Sequence, residues 1–359
     1  MSTAKQLPGH FEPRGSNAMN TSALLKFAAI AVSLAVCSAC SGGSATAPAA
    51  ALVNVRYVGH MAYVNGRPVT AERLNLNAPH GYSSIVPELA QKSDSTYYEY
   101  INNYYGSYSS IFNYPKSVKQ IGSIDDVGGQ SCTNVLSGYG KKTFWIVAGE
   151  KQITEYSVPK KPLKTLAISG MMPSSCAMNS DGDLALGVLT GFPNGGGDVV
   201  IFKGATGSPT YLATGMLDTY FDGYDPKGNL FADGFRSQNG FSLVELPKGA
   251  SAFQQITTSN TVAFPGSVQW DGKYLTVADQ TANKIYRYTI HGTKATLKGT
   301  VSLTGASDCS QTWIAGSVVY CADAGNDDGE VFNYPAGGSP VATFTGNFDE
   351  PLGTVAVQK

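Results

Sequence analysis

The residues of this chain with the types and spacing for chemistry are carboxylates and tyrosines. Asp218, Asp308 and Glu350 each stand just ahead of a short strand-like run, and three carboxylates brought together from such positions would hold calcium through oxygen ligands. Tyr104, Tyr105 and Tyr108, in the run NNYYGSY, are the densest aromatic group expected to stay exposed. Rings beside carboxylates suit sugars, peptides or cationic groups, although packing against a neighbouring segment would also account for them. Histidine offers little, because His60, His80 and His291 are isolated. No GxSxG, HExxH, EF-hand or Walker pattern occurs, so serine, zinc and phosphate chemistry have no signature. Asp233, Asp279 and Asp323 recur at the end of apolar runs and read as caps for backbone amides rather than catalysts.

The element that must position these residues is legible between Phe264 and Ile290. Gly266 to Trp270 reads as one strand, Asp271-Gly272 as a two-residue hairpin signal, Lys273 to Ala278 as a second strand and Lys284 to Thr289 as a third. The unit recurs. Hairpin glycines fall at Gly140, Gly182, Gly228, Gly272 and Gly316, spaced by 42, 46, 44 and 44 residues. The third strands end on Tyr114, Tyr156, Phe202, Leu246, Tyr288 and Tyr334, and a proline or glycine soon afterwards turns the chain into a fourth strand, such as Pro340 to Phe344. Four strands per period of about 40 to 45 residues describe a β-propeller, whose blades bury their faces against one another. The first third strand, Ile111 to Tyr114, follows a second strand around Thr96 to Asn102 with no first strand before it, and Gly353 to Val357 supplies the missing piece at the other end. The expectation is an all-β, six-bladed propeller closed by its C-terminal strand, with no long exposed edge.

Residues 93–359 therefore resemble a six-bladed propeller of the NHL-like kind, found in secreted and lipid-anchored bacterial proteins. Phe231-Ala232-Asp233, Val277-Ala278-Asp279, Cys321-Ala322-Asp323 and the IxxYP-like third strands carry the resemblance. It speaks for the fold and not for an activity, since propellers host enzymes, ligand binders and adaptors alike. Gluconolactonase-like propellers hold a channel metal with carboxylate and amide ligands, and Asn134 and Asn179 are the inner-strand asparagines that come near that pattern.

Composition narrows the partners. With 25 basic and 26 acidic side chains the net field is close to neutral, which argues against nucleic acid. The segment Met19 to Cys40 reads as a signal peptide, one lysine before an apolar run from Phe27 to Val36 that is short for a membrane span, and Met19 reads as the true start. Its end, Cys37-Ser38-Ala39-Cys40, resembles a bacterial lipoprotein signal, with Cys40 the better acceptor and plain secretion the alternative. The domain reading is residues 1–40 leader, 41–52 linker, 53–92 an N-terminal addition with a hairpin at Asn65-Gly66, then the propeller, as a monomer in the cell envelope.

In such a compartment disulfides persist. Cys309 and Cys321 fall nearly opposite each other across a hairpin centred on Ala315-Gly316, and Cys132 and Cys176 sit near the inner ends of first strands in neighbouring blades, where a bridge would tie them. A metal or redox role is the weaker alternative, since the mature chain has no CxxC.

The repeat also sorts charge. Connections between blades and between second and third strands share one face and carry Asp125, Asp126, Asp198, Asp218, Asp279, Asp308, Asp323, Asp327, Asp328, Asp349 and Glu350. The opposite turns carry Lys116, Lys119, Lys141, Lys142, Lys160, Lys161, Lys203, Lys227, Lys248, Lys273 and Lys294. The sequence supports a binding or interaction protein that takes a small molecule, glycan or protein at the acidic channel mouth, with a metal-dependent hydrolase or lyase as the rival and a lipid anchor as the link to a membrane.

Overall fold

The computed structural model describes residues 97–133, 142–148, 151–168, 172–189, 197–237 and 240–359, together with the backbone of three earlier strands. The leader, Cys37, Cys40, the linker, Asn134 and Gly140 lie outside the described residues. The three early strands, Val55–Val58, Met61–Val64 and Arg67–Thr70, form an antiparallel meander in which Val64 faces Arg67.

Among the described residues from Tyr97 onward every regular element is a strand apart from one short 3-10 turn at Lys203–Ala205, and the sheets are arranged like a propeller. Sheet I contains Pro351–Gln358, Tyr97–Asn103, Tyr108–Tyr114 and Ser117–Asp125, in that order from the axis outward. Sheet II contains Ser131–Thr133, Thr143–Val147, Gln152–Ser157 and Lys161–Ala167. In sheet III the two short pieces Met172–Pro173 and Ala177–Met178 share Leu184–Leu189 as partner, followed by Gly197–Phe202 and Thr210–Met216. Sheet IV has eight strands. Its first half is Asp218–Tyr224, Leu230–Ser237, Gly240–Leu246 and Gln254–Thr258; its second is Pro265–Trp270, Leu275–Asp279, Lys284–His291 and Lys294–Ser302. Sheet V is Cys309–Ala315, Val318–Asp323, Asp328–Asn333 and Ala342–Phe344.

Where six separate sheets were expected, the ring thus has four small sheets and one of eight strands. The outer strands Gln254–Thr258 and Lys294–Ser302 run parallel and pair at Thr257 with Lys294 and Thr258 with Ala295, which fuses two meanders. The closing strand lies where the repeat places it, with Val355 opposite Tyr100 and Val357 opposite Tyr98. The innermost strands also neighbour one another in a closed circuit: Pro351–Gln358, Ser131–Thr133, Ala177–Met178, Asp218–Tyr224, Pro265–Trp270, Cys309–Ala315 and back to the first.

Burial follows distance from the axis. Thr143–Val147 and Cys309–Ala315 are buried throughout, whereas the outer strand Lys161–Ala167 is exposed at nearly every residue. Large rings fill the space between sheets: Tyr100 of sheet I stacks on Phe144 of sheet II at 4.0 Å, and Tyr114 of sheet I meets Tyr320 of sheet V edge-on at 5.8 Å. Such rings supply much of the buried apolar area, which is the main favourable term in folding.

The hairpins correct the sequence reading in one respect. Trp270 pairs with Leu275, so the turn after the first strand in sheet IV's second half spans Asp271 to Tyr274 and is not the two-residue Asp271-Gly272 turn. Asp271 Oδ1 accepts the amides of Lys273 at 2.9 Å and Tyr274 at 2.7 Å, which satisfies a wider loop. Asp225 does the same for Lys227 and Asn229, and Asn179 for Asp181 and Asp183. Asn179 therefore belongs to a hairpin tip and not to the inner strand of a metal site. The glycines in these tips, Gly182, Gly228, Gly272 and Gly316, have φ of 84°, 85°, 95° and 62°, a region that costs other residues strain.

Candidate functional site

At the axis, polar side chains are used to join strands. Gln269 lies beside Ile314 and exchanges two bonds with its backbone: Nε2 donates to the carbonyl at 3.0 Å, and Oε1 accepts the amide at 2.8 Å. Gln311 performs the same task one sheet further on, accepting the Thr354 amide at 2.7 Å and donating to the Ser131 carbonyl at 3.1 Å. Ser267 accepts the Thr312 amide, Ser174 donates to the Thr219 carbonyl, and Asn102 donates to Ser131 Oγ. All of these side chains are buried. The motifs Ser267-Val268-Gln269-Trp270 and Ser310-Gln311-Thr312-Trp313 held the signal, a serine, then a glutamine and a tryptophan recurring in successive first strands, and the sequence reading passed over it.

The connections on the acidic face hold the predicted site residues separately. Glu350 is buried, its carbonyl accepts the Tyr104 amide at 3.1 Å and its own amide donates to Asp327 Oδ1 at 3.2 Å. Asp308 is buried beside the cap made by Asp323, to whose Oδ1 its amide donates at 2.7 Å. Asp218 is half-buried and opens the strand Asp218–Tyr224, opposite Phe235. Of the three tyrosines, Tyr105 is 47% exposed and packs edge-on against half-buried Tyr104 at 5.2 Å. Tyr108 is the first residue of a strand rather than a loop residue, and its hydroxyl donates to the Asn347 carbonyl at 2.7 Å. Burial and then nearby Asp349 push its phenol above the usual range.

The recurring aspartates cap backbone as their spacing implied. Asp233 accepts amides from Phe221 and Gly266, and Asp279 from Ala263, Phe264 and Ala282. Asp323 accepts the amides of Ser307, Asp308, Gly325 and Asn326 and the side-chain amide of Asn326.

Asp218, Asp308 and Glu350 do not bring three ligand atoms together. Among the described residues the one such set within 4.8 Å is Cys321, Asp323 and Glu330. It does not fit a calcium ion, since the Cys321 sulfur is in a disulfide and both Asp323 oxygens are engaged by amides. Burial pushes the Glu330 carboxyl up to about 7 and Asp328 to about 6, with the neighbouring acids adding to both.

The opposite ends of the sheets, where first strands turn into second and third into fourth, form a basic face. Its turns expose Lys116, Lys142, Lys160, Lys161, Lys203, Lys227, Lys248, Lys273 and Lys294, against one exposed carboxylate among the described residues, Asp181. A cleft of about 380 Å³ opens there between sheet III and the first half of sheet IV. Ile201, Leu212, Leu230 and Leu246 line it, and the pairs Lys203 with Asp183 at 2.7 Å and Lys248 with Asp181 at 2.8 Å stand at its rim. Burial works to raise the Asp183 carboxyl, but Lys203, the Gly204 amide and Asn179 outweigh it and hold it below the usual range.

Both expected disulfides are present, Cys132 to Cys176 and Cys309 to Cys321. The second joins diagonal rather than opposite residues. The turn is centred on Gly316-Ser317 and a bulge at Ser310 shifts the register, so Cys309 faces Asp323 and Cys321 faces Thr312. Two disulfides are consistent with an extracytoplasmic protein. No helix among the described residues is long and apolar enough to cross a membrane.

No family model and no curated protein matches this chain. Solved structures do. A protein of unknown function from Bacteroides caccae is 12% identical with a TM-score of 0.55, covering 74% of this chain and 100% of that one. A functionally unknown protein from Desulfotomaculum acetoxidans DSM 771 is 12% identical with a TM-score of 0.51, over 72% and 98% of the two chains. A chain of the nidogen/laminin complex is 11% identical with a TM-score of 0.53, over 72% and 98%. At these identities the likeness is one of fold: the chain is similar to all three as a propeller-like all-β protein.

Proposed function

We propose that this chain is an extracytoplasmic binding or interaction protein, a six-bladed propeller tethered through Cys40 or secreted, that takes its ligand at the acidic face around Tyr104 and Tyr105. The closed circuit of innermost strands supports a count of six, with the two halves of sheet IV as separate blades joined at their rims. The observation that carries binding over catalysis is the use of the axial polar groups: Gln269 and Gln311 spend both ends of their amides on neighbouring strands. The acidic face meanwhile exposes Tyr105 together with Asp125, Asp126, Asp327 and Asp349. Rings beside carboxylates favour a glycan or a cationic group on a small molecule or protein.

A glycan and basic-peptide array probed with the chain tests this. Tyr104→Ala with Tyr105→Ala is expected to weaken a captured ligand at least about tenfold, the loss of one or two ring contacts. Capture unaffected by those changes would overturn the reading. A melting temperature raised by calcium and no longer raised in Asp308→Asn or Glu350→Gln would favour the metal-dependent hydrolase or lyase instead.

A further inference from the structure

We infer that the basic face is a docking surface for an anionic lipid bilayer. Three features of that face converge. Its charge is one-sided, and Lys116, Lys160, Lys161, Lys227 and Lys273 form no ion pair with a carboxylate among the described residues. On the same face, exposed apolar side chains stand at the starts of outer strands: Leu163 is 45% exposed, Tyr211 43% and Val341 51%. Lastly, the strand Tyr97–Asn103 begins at this face and Pro351–Gln358 ends there, so both ends of the described ring lie on this side.

Lysines attract an anionic surface over roughly a Debye length, ~8 Å at physiological salt, and apolar side chains on the same face enter the interfacial layer that a dissolved polyanion lacks. That pairing of cations with Leu163, Tyr211 and Val341 is what selects a bilayer over nucleic acid. The inference concerns the end of the molecule opposite Tyr104 and Tyr105 and stands apart from the ligand proposed there.

The test is co-sedimentation of the full chain carrying Cys37→Ser and Cys40→Ser with two kinds of vesicle, phosphatidylcholine alone and phosphatidylcholine mixed with phosphatidylglycerol. The apolar run Phe27 to Val36 acts equally in every variant, so the reading is the difference between compositions and between variants. Binding is expected to favour the anionic vesicles and to fall as salt rises. Each reversal among Lys160→Glu, Lys161→Glu and Lys227→Glu should lower partition at least about fivefold, since it removes one attracted charge and adds one that the surface repels. Leu163→Ser with Tyr211→Ser should weaken binding that persists at high salt, and Asp125→Lys on the other face should leave binding near its original level. Equal binding to both vesicles, indifference to the lysine reversals, or capture of a DNA oligonucleotide without capture of vesicles would overturn the inference.

Discussion

Asp323 shows how much one carboxylate can do in this chain: it accepts five hydrogen bonds and closes the connection into the innermost strand of sheet V. Bonds from backbone amides to a buried charge are individually stronger than neutral ones, and an amide left without a partner costs further. Asp323→Ala is therefore expected to destabilise by about 3 kcal/mol or more. Urea unfolding measures it, and a loss under about 1 kcal/mol would assign the capping to other groups. Glu330, two residues beyond Asp328 on the facing strand, carries the opposite kind of effect. Its ordinary value of 4.5 is raised to about 7, so between those values the folded state keeps a proton that the unfolded state has lost. Stability falls as pH rises through that window, and the penalty is complete above it. Glu330→Gln should then stabilise by about 1 to 2 kcal/mol near pH 8 and change little near pH 4. Equal shifts at both pH values, read from urea midpoints, would show that charge is not the cause.

At the scale of elements, the disulfides differ in what they constrain. Cys132 to Cys176 closes a span of 44 residues between sheets II and III, whereas Cys309 to Cys321 closes 12 within sheet V. Loop-closure entropy assigns about 4 kcal/mol to the first and about 3 kcal/mol to the second. Alanine pairs at each bridge should rank in that order by urea unfolding, and the reverse order would mean that the loop-entropy account fails here. These elements were also where the sequence was most readable. The glycine and tyrosine rulers located hairpins and third strands because turn chemistry is local, requiring positive φ at Gly228 or a side-chain acceptor such as Asp225. Register was less readable, since the bulge at Ser310 answers to neighbouring strands rather than to its own sequence. The candidate site was the least readable part. Asp218, Asp308 and Glu350 share a position along their repeats, but repeat position does not say how far a side chain reaches from the axis. Gln311 was overlooked because its partners, Thr354 and Ser131, lie 43 and 180 residues away.

For the whole molecule, everything proposed about faces depends on the ring being closed by its own last strand. Thr354, Val355 and Ala356 pair with Ile101, Tyr100 and Glu99, and all six are buried. A strand added from the C-terminus joins the two ends of the ring, so it belongs to the cooperative unit rather than to a fraying terminus. Hydrogen exchange on the intact chain reads this directly. The amides of Thr354 to Val357 should exchange as slowly as those of Thr143–Val147 in the middle of sheet II, with protection lost only in global unfolding. Exchange of this segment well ahead of the sheets would contradict closure, and with it the division of the molecule into an acidic ligand face and a basic face turned to lipid.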